Sequence, residues 1–174
     1  MNWDLEIEDE DDVLDGLEDL FDELKVDGPT EDQLYKLYGI FLRDIVNNPI
    51  KINGVDLTYN TNISRHPICR GKPKGFEHII TRESKYKGLR DFDKYRANKI
   101  HWIKPIIENV NDPRILYYER INDDGQNQRY YWYEDKDFLV IVRELNPEYF
   151  LITSFEVDDS EKPKYRKQYN DYNF

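Results

Sequence analysis

Three histidines, His66, His78 and His101, all lie between residues 65 and 104, in the most basic part of the chain. This stretch contains twelve Lys or Arg residues against four acids, which gives it a net charge of +8. Histidine is the usual proton carrier near neutral pH, and cations stabilise the negative charge that develops on a reacting phosphate. The combination predicts acid–base cleavage of a phosphodiester that needs neither a metal ion nor a cofactor.

The strongest cation candidate lies on a helix predicted over residues 91–110, with Asp91 as its N-cap. On a helical wheel the apolar residues form one stripe, and Arg96 and Lys99 fall inside it. Two interpretations are open. Long basic side chains can bury their stems at the edge of a core and reach water, or the two cations can face a cleft and bind an anion. His101 points away from the stripe, which favours an ordinary exposed histidine.

His78 and Thr153 are both predicted to lie on strands. His78 belongs to a short strand-like run over residues 76–81, and both a structural and a catalytic role are open for it. His66 lies in a loop, where a bystander or a phosphate contact is favoured over a catalyst. Thr153 alternates with Leu151 on an otherwise apolar side of the last strand, so its hydroxyl needs a partner, either the backbone or a phosphate.

The charge of the whole chain hides a strong asymmetry. The net charge is −11, but residues 1–32 carry −14 and the remaining 142 residues carry +3. An acidic chain of this kind is compatible with a nucleic-acid partner. The single Cys69 indicates a reducing cytoplasm. No apolar run approaches the roughly 18–20 residues of a membrane span, so no membrane association is expected.

These side chains must be positioned by helices and strands. The order of helical and strand-like patterns along the sequence predicts an α+β fold, with N-terminal helices followed by a helix packed on a roughly four-stranded antiparallel sheet. An apolar stripe that includes Val13 predicts a helix over residues 11–25. Thr30 and Gln33 form a capping box that begins a second helix, and Asn53-Gly54 predicts a hairpin. Short connections between four strand-like runs predict an antiparallel meander over residues 114–121, 128–134, 138–144 and 149–157.

Three short motifs together resemble the phage-associated branch of the barnase–EndoU–colicin–RelE superfamily of ribonucleases. The resemblance covers residues 75–157, and the motifs are Gly75-Phe76-Glu77-His78-Ile79, Arg96-x-x-Lys99-Ile100-x-Trp102-Ile103 and Leu151-Ile152-Thr153-Ser154-Phe155. It implies a barnase- or RelE-like fold and metal-independent cleavage of RNA, in which the ribose 2′-hydroxyl attacks the adjacent phosphate.

The resemblance also implies roles for individual residues. His78 would be the general base or acid, Arg96 would stabilise the charge on the phosphorane, and Thr153 would hydrogen-bond the scissile phosphate. Further candidates for substrate binding are Arg82, Lys99, Lys72, Lys74 and Tyr131, of which Tyr131 is also a weak candidate for a second acid or base.

The expected organisation is an acidic helical segment over residues 1–28, a helix and β-hairpin over 29–60, a nuclease-like α+β domain over 61–157 and a polar, frayed tail over 158–174. The function that this implies is an endoribonuclease of toxin or phage and mobile-element type, in the cytoplasm of a bacterial or phage-infected cell. Its expected partners are RNA, with tRNA as one candidate, and an inhibitor or antitoxin protein.

The function of the basic face and that of the acidic residues 1–28 each allow an alternative. The same basic face also fits a non-catalytic module that binds nucleic acid or another protein. The acidic residues 1–28 can either dock on the basic stretch and inhibit it, as a built-in mimic of nucleic acid, or simply form a solubilising helix.

Overall fold

A computed structural model describes residues 12–174, and residues 1–11 lie outside the described part. The α-helices of this part are α1 (Glu31–Phe41), α2 (Lys74–Ile80), α3 (Lys94–Ala97), α4 (Ile103–Glu108) and α5 (Lys162–Asn173). Its strands are β1 (Lys51–Ile52), β2 (Val55–Thr58), β3 (Thr81–Glu83), β4 (Arg90–Phe92), β5 (Ile115–Ile121), β6 (Asn127–Tyr133), β7 (Phe138–Glu144) and β8 (Tyr149–Glu156). The α+β class predicted from the sequence is confirmed.

Strands β5 to β8 form the predicted antiparallel meander. They belong to a larger mixed sheet of six strands in the order β1-β2-β8-β7-β6-β5. The prediction of a four-stranded, purely antiparallel sheet is therefore wrong in the number of strands and in their direction. The β1–β2 hairpin turns at Asn53-Gly54, whose φ angles of 51° and 79° suit the predicted turn. β2 then pairs in parallel with the start of β8, and the sheet thereby crosses the boundary expected between residues 60 and 61.

A β-bulge in β8 changes which side chains share a face of the sheet. Ile141 pairs with Thr153 and Val142 pairs with Leu151, so Ile152 is the extra residue. Because paired residues lie on the same face, Leu151 and Thr153 lie on opposite faces. The predicted alternation of these two residues on one side is therefore wrong.

Helices cover both faces of the sheet, and each face has its own core. The larger core joins α1, α2 and α4 to the sheet through residues such as Phe76 and Val140. On the other face, α5 buries Tyr165 against Trp132. The frayed tail predicted for residues 158–174 is wrong, because tyrosines give this polar segment an apolar side that its composition conceals.

The acidic segment before α1 contains no helix within residues 12–28, so the helix predicted over residues 11–25 is wrong there. Leu14 is buried, whereas Val13 of the predicted stripe is 53% exposed. The irregular path leaves carbonyl groups free to accept hydrogen bonds from other elements. Trp102 donates to the carbonyl oxygen of Glu18, and the Tyr133 hydroxyl donates to that of Leu14.

The basic helix predicted over residues 91–110 is broken into α3, a 3₁₀ turn and α4. It begins at Asp93 instead of Asp91, since the Asp93 carboxylate accepts the backbone N–H groups of Tyr95 and Arg96. Lys99 has the non-helical angles φ −120° and ψ 17° at the break. This change of direction lets the Lys99 side chain reach carboxylates outside the helix.

The strand expected over residues 76–81 is also wrong, because most of this run forms α2 and only Thr81 begins a strand. A short apolar run fits a strand and a buried helix equally well. α2 packs very closely on the chain after β2, where a Cβ atom at Gly75 would lie 3.0 Å from the Tyr59 Cβ. The helix places Phe76 in the core and turns His78 outward.

Candidate functional site

The candidate site lies where α2, α3 and the β3–β4 hairpin meet strand β8. β2 pairs with β8 only at Tyr149 and Phe150. The rest of this edge of β8 is therefore open to side chains from other elements. The fold brings the basic part of the chain to the strand that carries Thr153.

Arg96 is largely buried at this junction, with 18% of its side chain exposed. Its Nη1 donates hydrogen bonds to the Thr81 carbonyl oxygen at 3.0 Å and to Thr153 Oγ1 at 3.2 Å. The guanidinium also lies 5.5 Å from the centre of the Phe155 ring, which is within cation–π range. The Arg96 guanidinium therefore stays inside this junction and does not reach out into water. Thr153 has a side-chain partner in Arg96.

Thr81 links a second arginine to this contact. Arg90 Nε donates to Thr81 Oγ1 at 2.8 Å, and Arg90 Nη2 donates to the Thr81 carbonyl oxygen at 3.0 Å. The same carbonyl oxygen accepts the hydrogen bond from Arg96. Sequence reasoning missed Thr81 and the role of Arg90, because nothing in the local pattern shows that β3 and β4 pair.

Two buried carboxylates compensate part of the positive charge. A Glu77 oxygen lies 3.7 Å from Arg90 Nε, and an Asp93 oxygen lies 3.5 Å from both Arg82 Nη1 and Arg96 Nε. Three guanidinium groups therefore face two carboxylates. Burial lowers the pKa of Arg96, and the charge of Asp93 opposes this.

His78 lies on the outward face of α2, one helical turn after Lys74, and 39% of its side chain is exposed. Its Nε2 is 3.9 Å from a Glu77 oxygen, which is too long for a hydrogen bond. Burial and the charge of Arg90 lower the pKa of His78 from its ordinary value of 6.5, although Glu77 opposes the change. This direction favours the neutral ring, which is the form that can accept a proton.

The two other histidines are engaged with backbone groups. His66 Nε2 is 2.9 Å from the Arg90 carbonyl oxygen, and His66 Nδ1 accepts the N–H of Ile68. His101 Nε2 is 2.8 Å from the Glu18 carbonyl oxygen. Within residues 12–174, His78 is thus the histidine whose ring is not tied to the backbone.

The cations predicted to bind substrate differ in their availability. Arg82 is 51% exposed beside Asp93, and Lys74 shares a helix face with His78. The Lys72 ammonium lies 5.3 Å from the centre of the Tyr38 ring, at the loop before α2. Arg82 and Lys74 are the cations best placed beside the candidate site.

Lys99 and Tyr131 are committed elsewhere. Lys99 is buried, and its ammonium forms ion pairs with Asp19 at 2.8 Å and with Glu156. Lys99 points inward, as the helical wheel predicts. Its anionic partners, however, are the carboxylates of the protein itself. Tyr131 is buried on β6 and lines a different cleft together with Arg129.

Two clefts share residues with this network. One, of about 760 Å³, is lined by the cations Arg65, Lys74 and Arg90 and by the carboxylates Glu77 and Asp91. The other, of about 540 Å³, contains Arg82 and Arg96 beside four acids, namely Asp93, Glu156, Asp158 and Glu161. The first cleft is the more cationic, whereas the second is the one that contains Arg96, and His78 lines neither of them.

Residues 12–174 offer neither a metal site nor a membrane-spanning helix. No group of three or more His, Cys, Asp or Glu side chains in this range is arranged to hold a metal ion. No helix in it is long and apolar enough to cross a membrane. The group formed by Arg82, Arg90, Arg96 and His78 is the one whose side chains suit acid–base chemistry beside a phosphate.

No family model matches the chain, and comparisons with curated proteins and with solved structures find no significant match. The resemblance to ribonucleases therefore stays a prediction from short motifs. Any functional conclusion depends on the geometry of the site itself.

Proposed function

We propose that this protein is a metal-independent endoribonuclease in which His78 is the general base. The observation that carries the proposal is the position of His78, whose half-exposed ring has no backbone hydrogen bond within residues 12–174 and lies near Lys74, Arg90 and Arg96. It is the only one of the three histidines with these features together within residues 12–174. A neutral imidazole beside several cations suits proton removal next to a phosphate.

In the proposed reaction, neutral His78 accepts the proton of a ribose 2′-hydroxyl. The 2′-oxygen forms a bond to phosphorus, the bond from phosphorus to the 5′-oxygen breaks, and water supplies the proton of the leaving 5′-hydroxyl. The products are a 2′,3′-cyclic phosphate and a 5′-hydroxyl end. Protonated His78 returns its proton to solvent, so the enzyme is regenerated.

Arg96 and Thr153 stabilise the phosphorane in this proposal. Thr153 Oγ1 accepts a hydrogen bond from Arg96, which leaves the hydroxyl proton of Thr153 free to be donated to a phosphate oxygen. Burial of Arg96 strengthens its interaction with developing negative charge. Arg82 and Lys74 bind flanking phosphates, since both are accessible beside the network.

The experiment is incubation of purified protein with total RNA and with tRNA in EDTA, using His78→Ala, Arg96→Ala and Thr153→Val. Lys167→Ala on α5 is a matched control, because its exposed lysine pairs only locally with Asp171 within residues 12–174. We expect cleavage by the wild type and the control, and losses of about 10²-fold or more in His78→Ala. Folded His78→Ala that cleaves at the wild-type rate would overturn the proposal.

A second function, binding of RNA without cleavage, is favoured by one specific observation. Arg90 and Arg96 both donate to the Thr81 carbonyl oxygen. Part of the hydrogen-bonding capacity of both guanidinium groups is therefore used by the protein itself and not by a reacting phosphate. A binding module predicts salt-sensitive retention of intact RNA, and an acidic inhibitor protein would compete for the same face. A stable complex with intact RNA after long incubation with folded wild-type protein would decide for this alternative.

A further inference from the structure

A cleft of about 620 Å³ lies between the β1–β2 turn, the end of α4 and strands β5 and β6. It shares no residue with the network around His78. Its lining is about half apolar, with Ile52, Ile107 and Val110, and half polar. Arg129 and Glu119 supply opposite charges from the sheet, and Lys51 and Glu108 supply a second pair at the rim. A cleft that combines apolar walls with convergent polar groups is typical of a small-molecule site.

Arg129 is an incompletely satisfied guanidinium in this cleft. Its side chain is 14% exposed and lies between the rings of Tyr117 and Tyr149, at 5.9 and 4.9 Å from their centres. Its hydrogen bonds to Glu144 and to the Tyr149 hydroxyl are both long, at 3.4 Å, and the Tyr131 hydroxyl is a third partner of the guanidinium. A buried guanidinium usually makes shorter, charge-assisted bonds to a carboxylate, so donor capacity remains for a ligand.

Glu119 is the direct cross-strand partner of Arg129, on the same face of the sheet. The two nevertheless form no ion pair in the described part of the chain, where Arg129 pairs with Glu144. Glu119 instead accepts hydrogen bonds from the Tyr117 hydroxyl at 2.9 Å, the Asn127 amide at 2.7 Å and the Tyr172 hydroxyl at 3.2 Å. Burial raises the pKa of Glu119, but these hydrogen bonds and the charge of Arg129 outweigh it and the net direction is downward.

We propose that this cleft binds a free α-amino acid with an apolar side chain, with its carboxylate on Arg129 and its ammonium on Glu119. A zwitterion gives both Arg129 and Glu119 an opposite partner, whereas a simple anion or cation would leave one of the two facing its own sign. Ile107 and Val110 offer contact to the apolar side chain. The pKa of Tyr131 is raised to about 12 by burial, so its hydroxyl stays a donor in this cleft.

The test is calorimetric titration of the full chain with L-leucine, N-acetyl-L-leucine and L-leucinamide. All three probes carry the leucine side chain; acetylation removes the charge of the ammonium and adds a small acyl group, and amidation removes the charge of the carboxylate. We expect the wild type to bind leucine about tenfold or more tightly than either derivative, since each loses one charge-assisted contact. No binding of leucine at millimolar concentration, or equal binding of all three probes, overturns the proposal.

Variants assign the two ends of the ligand. Glu119→Gln should remove the preference for leucine over N-acetyl-leucine, and Arg129→Gln should remove the preference over leucinamide. Arg120→Gln, at the exposed neighbouring position on β5, is the matched control and should bind as the wild type does. If Arg129→Gln fails to fold, Tyr131→Phe replaces it and should weaken leucine binding severalfold; unchanged leucine binding in Glu119→Gln contradicts the assignment.

Discussion

His78 is set apart from the other two histidines by what surrounds each ring. His66 and His101 bind backbone carbonyl oxygens of other segments, which makes them part of the scaffold. His78 has only a distant carboxylate and several cations around it. These surroundings disfavour protonation of His78, so the stability of the folded protein should depend on pH.

The folded protein should lose stability as the pH falls below neutrality. The pKa values of His78 and His101 are both lowered from 6.5, first by burial. The unfolded state therefore binds more protons between the folded and unfolded pKa values, and stability rises with pH in that window. NMR titration should give midpoints below 6.5 for both rings, and His78→Gln with His101→Gln should flatten the stability profile. A midpoint at or above 6.5 for His78 would contradict the described environment.

Lys99 should matter for stability and not for RNA binding. Lys99→Met should lower the free energy of unfolding by about 1–3 kcal/mol, because Asp19 and Glu156 lose their shared cation. Lys74→Met is the comparison and should weaken RNA binding with little change in stability. Urea unfolding and filter binding measure the two quantities; weaker RNA binding by folded Lys99→Met would restore Lys99 as a phosphate contact.

At the scale of elements, the acidic segment before α1 is part of the core. Leu14, Leu17 and Leu24 are all buried in the larger cluster, and Asp19 pairs with Lys99. Polar contacts of the segment also reach the chain after α3, where Phe21 exchanges hydrogen bonds with Asn98 and Glu18 accepts one from Trp102. The segment therefore supports the fold more directly than it shields His78.

Deletion of residues 1–28 should destabilise the protein severely. Each buried leucine contributes about 2 kcal/mol, and their sum is comparable with the stability of a whole domain. Circular dichroism and thermal unfolding should show loss of cooperative folding. The control replaces exposed Asp22 and Glu23 by Asn and Gln and should keep the wild-type melting temperature and RNA affinity; a marked rise in RNA affinity would instead support inhibition by this segment.

The elements differ in how far the sequence predicts them. The Asn53-Gly54 hairpin and the meander were predictable because their turn residues act locally. The α2 helix was not, because Phe76 and its neighbours fit either period and nothing in the local pattern reveals the close packing of Gly75 on Tyr59. The bulge at Ile152 leaves no local signal, since it depends on pairing with β7.

At the scale of the whole molecule, one sheet separates two helical layers, and α5 closes the face away from α4. Removing residues 158–174 would expose Trp132 and Tyr118, which are both nearly inaccessible in the full chain. We expect a loss of about 2–3 kcal/mol or more and a tendency to aggregate. Chemical unfolding and light scattering measure both effects, and Lys167→Ala should change stability by less than about 0.5 kcal/mol. A truncated protein as stable as the full chain would contradict the packing of α5.

The candidate site was only partly predictable at this scale. Arg96 and Thr153 were both singled out, and they are in contact. Their contact depends on the open edge of β8, which no spacing in the sequence reveals. Thr81 and Arg90 were missed because their roles arise only when α2, β3 and β4 assemble.

The most direct test of the account is to map the ends of RNA fragments made by wild-type protein and by His78→Ala in the presence of EDTA. The account predicts 2′,3′-cyclic phosphate and 5′-hydroxyl ends with the wild type, and none above background with folded His78→Ala. Intact RNA with the wild type, or the same ends at the same rate with His78→Ala, would contradict it.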